Sequence, residues 1–330
     1  MDYIANADRY NKMTYRRCGK SGIDLPLISL GLWQNFGSLN PLENSRKMLQ
    51  YAFDSGITYF DLANNYGPVY GSAEETFGII LKKDLMPYRD ELIIASKAGY
   101  DMWDGPYGNW GSKKYLVSSL DQSLKRMNLE YVDIFYHHRP DPKTPIEETM
   151  DALLQIIRQG KALYVGLSNY DAKQTKEASQ VIRSMGGKLL VHQPSYSMYN
   201  RWIEEDLQDV LDEEGIGSVA FCPLFQGLLT SRYFNGIPEN SRVSLSRTSI
   251  NHTQPNEALI NKSKKLNEIA QDRGQSLAQM ALSWALRGER LTSCIIGASR
   301  VSQIEENVAC INNLDFSEDE LNKIDEILSE

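Results

Sequence analysis

A chain of 330 residues, 42% hydrophobic and 24% charged, can bury one large core, and no composition shift divides it, so 1–330 is expected to be a single α/β domain. The formal charge of -8 and the lack of a long Lys/Arg block exclude nucleic acid or an anionic membrane as the main partner. Cys18, Cys222, Cys294 and Cys310 share no short spacing, so neither a metal site nor a disulfide framework is expected.

Residues 1–12 are polar and carry no apolar run of the kind a signal peptide or membrane span needs, and a cytoplasmic protein is expected. Gly19-Lys20-Ser21-Gly22 lies between two short runs and reads as the turn of an N-terminal β-hairpin. A phosphate loop is rejected there. It would need a glycine where Thr14 stands and a helix where the following residues read as extended.

From residue 27 onward, eight apolar runs alternate with helical patterns: 27–32, 58–61, 92–97, 132–138, 163–168, 189–193, 218–222 and 294–297. Amphipathic stretches at 45–54, 72–83, 114–126, 146–158, 172–185 and 204–213 lie between them, and 256–288 holds two helical runs separated by Gly274. Strand then helix, repeated eight times, predicts a (β/α)8 barrel, with an added C-terminal helix over 317–328. Ser72-Ala73-Glu74-Glu75 reads as a capping box, and Gly56 and Gly160 as helix stops. The long irregular stretches 99–111 and 225–255 follow strands, which in such a barrel puts them on the catalytic face.

Ligand-binding groups in this architecture come from the C-terminal ends of strands, here Asp61, Lys97, His138, Ser168-Asn169 and Gln193. The loop after Asp61 can fold Tyr66 back over the strand end. Its bland alternative is a solvated carboxylate and a packed tyrosine. Lys97 facing inward would meet Asp61, and its charge beside the phenol is expected to lower the pKa of Tyr66, making it a usable proton donor. His137 and His138 are neighbours on a strand and point to opposite faces, so they cannot share a metal; His138 lies nearer the rim. No Gly-x-Gly-x-x-Gly follows a strand, so a nicotinamide cofactor would lie on the barrel rim rather than in a Rossmann site. Residues 296–300 run from the eighth strand into a helical pattern at 301–311, offering backbone N–H groups and Arg300 to a phosphate.

Together, Asp61-x-Ala63-x-x-Tyr66-Gly67, Lys97, His138-x-Pro140, Gly166-Leu167-Ser168-Asn169 and Gln193 resemble the aldo-keto reductase superfamily over essentially the whole chain. Gly31-Leu32-Trp33, the run from Lys97 to Trp103, Gln193-Pro194-Ser195-Tyr196 and Gly297-Ala298-Ser299 resemble its bacterial L-glyceraldehyde 3-phosphate reductases, with similarity to the potassium-channel beta subunits. The resemblance implies NADPH-dependent reduction of a small aldehyde by an extended cofactor across the barrel mouth, in a homo-oligomer of four or more chains. It implies catalysis by Tyr66, Asp61, Lys97 and His138, with Trp33, Tyr100 and Trp103 as the substrate wall. For the cofactor it implies contacts from Trp33 and Asp61, with Ser168, Asn169 and Gln193 on the carboxamide and Tyr196 stacked near the nicotinamide. Pro223, Leu224, Gln226 and Gly227 would line the pyrophosphate, Arg232 and Arg242 would reach phosphates, and Gly297, Ser299, Gln303, Glu306 and Asn307 would hold the adenosine end.

The sequence departs from the family where Leu62 replaces a usual Thr, and where Ala298-Ser299 and Gln303 replace a Lys-Ser and an Arg used on the adenosine 2'-phosphate. Arg300 is the candidate for restoring that cation. Arg139, Lys113 and Lys114 are candidates for a substrate phosphate. A Schiff-base aldolase using Lys97 would need that lysine neutral, which a close Asp61 opposes. General aldehyde or methylglyoxal reduction, and a nucleotide-binding redox-sensing accessory subunit, are the alternatives. His138 argues against the last, because the channel subunits carry a different residue there.

Overall fold

The computed structural model describes residues 3–237 and 256–330. After a short 3-10 turn at Arg9–Lys12 comes the hairpin, β1 (Tyr15–Arg17) and β2 (Asp24–Pro26), paired antiparallel. The turn closes through the Cys18 N–H on the Ile23 carbonyl at 2.8 Å, with Gly19 at φ +53°. That left-handed conformation suits glycine.

Eight strands then form a closed parallel barrel: β3 (Ile28–Gly31), β4 (Tyr59–Asp61), β5 (Ile93–Ala98), β6 (Val132–His137), β7 (Ala162–Ser168), β8 (Val191–Gln193), β9 (Gly217–Ala220) and β10 (Ser293–Gly297). Each pairs with the next in chain order, and β10 closes on β3. All eight expected runs became strands, with no end moved by more than two residues. The two largest shifts are at the start of β8, where Leu189 and Leu190 lead into the strand, and at the end of β9, which stops at Ala220.

Helices α1 (Leu42–Asp54), α2 (Ser72–Ile80), α3 (Lys113–Met127), α4 (Ile146–Arg158), α5 (Ala172–Ser184), α6 (Leu207–Glu214), α7 (Glu257–Asp272), α8 (Leu277–Ala285) and α9 (Val301–Val308) pack outside the strands, and α10 (Glu318–Ser329) follows. Gly56 and Gly160 end α1 and α4 at φ +84° and +69°, as expected. The capping box expected at Ser72 is not formed. Gly71 occupies the cap position, Ser72 is already helical, and its hydroxyl has no partner. Glu74 is drawn away instead: it accepts from Ser96 Oγ at 2.6 Å and from Arg126 Nε at 2.7 Å. Capping boxes do form at Asp171, Ser276 and Ser317.

Two apolar layers follow from the strand period of two. Phe60, Ile94, Phe135, Val165, Ala220 and Ile296 face outward into the helices, in the large core cluster. Tyr59, Ala95, Ile134, Tyr136, Val191, Val219 and Ile295 fill the barrel interior, closed below by Cys18 and Leu25 of the hairpin region. Burying one such Leu, Ile or Phe is worth about 1.5–3 kcal/mol. The interior is thus a packed core.

Candidate active site

Counting on from the interior layer, the next inward positions are Asp61 on β4, Lys97 on β5 and His138 just past β6. Strand register makes them neighbours: Asp61 lies opposite Ala95, and Lys97 opposite Tyr136. Lys97 is fully buried, with Asp61 2% and His138 7% exposed. The Lys97 ammonium donates to Asp61 Oδ2 at 2.6 Å, to the Leu62 carbonyl at 2.7 Å and to the Tyr66 hydroxyl at 3.3 Å. Its nitrogen also lies 4.7 Å from the centre of the Tyr66 ring. The loop after β4 brings Tyr66 back over the strand end. The Tyr66 amide bonds the Ala63 carbonyl at 3.0 Å, and Asn64 pairs with the Lys97 backbone.

The His138 ring packs edge-on against Tyr66 at 5.8 Å and Tyr100 at 4.7 Å. Gly99 makes room for it, since a Cβ there would lie 2.9 Å from His138 Cβ. Burial, then the Lys97 charge, hold the imidazole pKa well below its ordinary value, so the ring is neutral.

The expected lowering of the Tyr66 pKa is not what this geometry gives. Burial, and then the Asp61 charge, hold the phenol well above its usual value. Burial also lowers Lys97, with Asp61 opposing that shift. The physical reason is desolvation, which disfavours the phenolate, while the ammonium that would favour it is already paired with a carboxylate at 2.6 Å. Tyr66 therefore keeps its proton. A Schiff-base lysine is disfavoured by the same contact.

Ser168, Asn169 and Gln193 come together beside Asp61. Ser168 Oγ donates to the Gln193 carbonyl at 2.8 Å, Asn169 Nδ2 to the His138 carbonyl at 3.0 Å, and Gln193 Nε2 to Asp61 Oδ1 at 2.8 Å. Asn169 sits at φ +62°, a conformation asparagine tolerates. Trp33 borders the mouth with its ring 6.4 Å from Tyr66, and Trp103 packs on Tyr115 at 5.1 Å.

Beyond β9 the chain bends sharply, with Cys222, Phe225 and Gln226 at φ +55°, +44° and +57°, through the segment containing Pro223, Leu224 and Gly227. The Gln226 amide nitrogen is buried without a partner. After β10, the Ser299 N–H and hydroxyl both donate to Gln303 Oε1, at 2.8 and 3.1 Å. Arg300 is exposed and bonds Ser302, Asn307 is buried at 4% exposure, and Glu306 is exposed with its carbonyl accepting from Gln279. Arg232 is exposed in the short helical turn after Thr230. Arg242 lies outside the described residues.

Four expected residues go elsewhere. Tyr196 is not at the mouth: an odd step from Gln193 turns it outward, where it stacks on Trp284 at 5.6 Å, donates to Glu204 and accepts from Arg287. At 2% exposure it has no face left for a nicotinamide. Lys113 pairs with Asp151 at 2.7 Å, and Lys114 lies over the Tyr107 ring at 5.4 Å. Arg139 is held between the Tyr100 and Trp110 rings, at 4.3 and 3.7 Å, and donates to the Gly99 carbonyl and Asn109. It clamps the 99–111 loop.

Three residues were missed by sequence reasoning. Tyr59 and Tyr136 lie directly beneath Asp61 and His138, and Phe221, two residues past the inward Val219, is half-buried at the rim. Counting back or forward by two from the strand-end residues finds all three. Among the described residues, no group of three His, Cys, Asp or Glu side chains is close enough to hold a metal.

The aldo/keto reductase family model matches residues 27–329. The chain is 56% identical to L-glyceraldehyde 3-phosphate reductases of Escherichia coli O157:H7 and of strain K12, covering 100% of this chain and 96% of each relative. It is 35% identical to a probable voltage-gated potassium channel subunit beta of Arabidopsis thaliana, over 91% of this chain and 92% of that protein. The chain belongs to the aldo/keto reductase family, oxidoreductases that work with a nicotinamide cofactor.

Proposed function

We propose that the protein reduces a small phosphorylated aldehyde, of the kind of L-glyceraldehyde 3-phosphate, to the alcohol with NADPH. The observation that carries this reading is the buried Asp61–Lys97 pair joined to the half-buried Tyr66 beside a neutral His138 at the barrel mouth. When bound, the cofactor supplies the hydride. The chain's own residues do the rest.

The neutral His138 imidazole donates to the carbonyl oxygen of the substrate, orienting it and polarising the bond. Tyr66 gives its hydroxyl proton to the oxygen as negative charge develops there. Its raised pKa keeps that proton in place until an alkoxide, a stronger base, appears. Lys97, paired with Asp61, then stabilises the phenolate left behind. Trp33, Tyr100 and Trp103 wall the substrate.

The fit to a nicotinamide dinucleotide rests on the mouth's donors. Ser168, Asn169 and Gln193 present amide and hydroxyl groups at the carboxamide end, and Phe221 an apolar face. The orphaned Gln226 amide and the left-handed turns around Pro223, Leu224 and Gly227 suit a segment shaped for a pyrophosphate, with Arg232 and Arg242 as further bases. Gly297, Ser299, Gln303, Glu306 and Asn307 are the adenosine end. Arg300, exposed one residue beyond Ser299, favours the 2'-phosphate of NADPH over NADH. Likeness to relatives named L-glyceraldehyde 3-phosphate reductase supports the substrate class.

The test is the initial rate of NADPH oxidation with L-glyceraldehyde 3-phosphate, beside its D isomer, unphosphorylated glyceraldehyde and methylglyoxal, each repeated with NADH. Selectivity for the phosphorylated L-sugar with NADPH supports the reading. Equal rates on all aldehydes would make it a general detoxifying reductase, and tight nucleotide binding without turnover an accessory subunit.

A further inference from the structure

Beneath the mouth, the barrel interior carries two phenols where aliphatic side chains would pack more simply. Tyr59 precedes Asp61 by two residues on β4, and Tyr136 precedes His138 by two on β6, so each lies one layer below a mouth residue on the same inward face. Both are fully buried. A hydroxyl buried without a partner is destabilising, so a pair of them in a core calls for acceptors.

The acceptors are present. The Tyr59 and Tyr136 oxygens are 2.7 Å apart, and the Tyr59 hydroxyl reaches Asp61 Oδ1 at 3.4 Å. Each phenol has one proton, and one arrangement uses both: Tyr136 donates to Tyr59, and Tyr59 donates to Asp61. Gln193 Nε2 completes the hold on Oδ1 at 2.8 Å, which leaves Oδ2 facing Lys97 at 2.6 Å.

The barrel makes space for this pair. At Gly166 on β7, a Cβ would lie 2.7 and 2.8 Å from Tyr136 Cε1 and Cδ1, and 2.6 Å from the Val191 carbonyl. The φ of Gly166 is not in the left-handed region, so its glycine is explained by space. The Tyr136 ring also lies 5.8 Å from the Lys97 ammonium.

We infer that Tyr59 and Tyr136 are positioning residues for the reduction: a buried phenol relay that fixes the rotation of the Asp61 carboxylate and, through it, keeps Lys97 charged and aimed at Tyr66. Neither phenol touches substrate. The inference rests on the proposed role of Tyr66. The charged and titratable groups around Lys97 are Asp61 and Tyr66, Glu74 from α2, Tyr136 and His138. Only the phenol pair is removed in the test.

The experiment compares the full-length wild type, Tyr59→Phe, Tyr136→Phe, the double variant and Tyr66→Phe. It measures NADPH binding by fluorescence, kcat and KM for the aldehyde, and the pH profile of kcat/KM. Each phenol variant should bind NADPH with unchanged Kd, lose about ten- to a hundredfold in kcat, and show the alkaline limb at lower pH as Lys97 loses its aligned partner. Because the relay acts in series, the double variant should lose no more than Tyr59→Phe alone. A second readout independent of turnover is the 13Cε resonance of labelled Lys97, which should titrate at lower pH in Tyr59→Phe. Wild-type kcat, pH profile and Lys97 titration in both single variants would overturn the inference. An active Tyr66→Phe would overturn the underlying reading instead, so the two failures are distinguishable.

Discussion

Lys97 and Asp61 form an ion pair at 2.6 Å with side-chain exposures of 0% and 3%, at the C-terminal ends of neighbouring barrel strands. Removing one partner of such a pair leaves the other charge buried and uncompensated, at about 3–5 kcal/mol. Lys97→Met should therefore lower stability by about that amount, measured by urea unfolding, besides abolishing turnover. A stability within about 1 kcal/mol of wild type would mean that water reaches Asp61 and that the site is wetter than its packing indicates.

Gly166→Ala tests the packing beneath the pair. The added methyl meets backbone at Val191 and the Tyr136 ring, neither able to retreat, so a loss of about 1–3 kcal/mol is expected, read as a lower denaturant midpoint. Gly186→Ala is not an equivalent control, because Gly186 is strained by its φ of +82° rather than by space.

Stability should fall on the acid side before the carboxylates titrate. His137 and His192 are fully buried, and burial pushes both down to about 4 from an ordinary 6.5. They are neutral in the fold and take up protons on unfolding, so their contribution is complete above about pH 6.5 and is lost as pH falls toward 4. Each contributes a slope of up to about 1.4 kcal/mol per pH unit in that window. Urea midpoints from pH 7 to 4.5 measure it; a flat curve would show that both rings titrate freely in the native protein.

Arg139→Met should loosen the 99–111 loop without touching the proton-transfer chain. The guanidinium stacks between Tyr100 and Trp110 and ties Gly99 to Asn109, so its loss should raise the aldehyde KM about tenfold and change kcat little. A fall in kcat at unchanged KM would instead assign Arg139 a role in aligning His138, its chain neighbour.

Arg300→Ala addresses the cofactor. Loss of a guanidinium on a phosphate should raise the KM for NADPH about tenfold and leave NADH unaffected. Equal effects on the two nucleotides would remove Arg300 from the 2'-phosphate.

The barrel was legible because strand ends are marked twice, by the close of an apolar run and by a polar residue at the rim. Asp61, Lys97 and Gln193 are such residues, and the structure brings them within hydrogen-bonding distance. Tyr196 was misread because Pro194 and Ser195 continue past β8, and only the strand period shows that an odd step turns its ring to Trp284. The side chains of the candidate bases for a substrate phosphate could not be placed from the sequence, for a different reason. Where a long side chain ends depends on partners distant in sequence, such as Asp151 for Lys113 or Trp110 for Arg139. The shift of Tyr66 could not be read from the presence of Lys97 alone, since it depends first on how deeply the phenol is buried and then on the Asp61 charge.

The most direct test of the account is Tyr66→Phe, assayed for NADPH oxidation with L-glyceraldehyde 3-phosphate alongside NADPH binding. Removing one hydroxyl should leave nucleotide affinity within about twofold and lower kcat by at least about 10²-fold, the span of general acid catalysis. A variant that binds NADPH and turns over at the wild-type rate would contradict the assignment of Tyr66 as the proton donor.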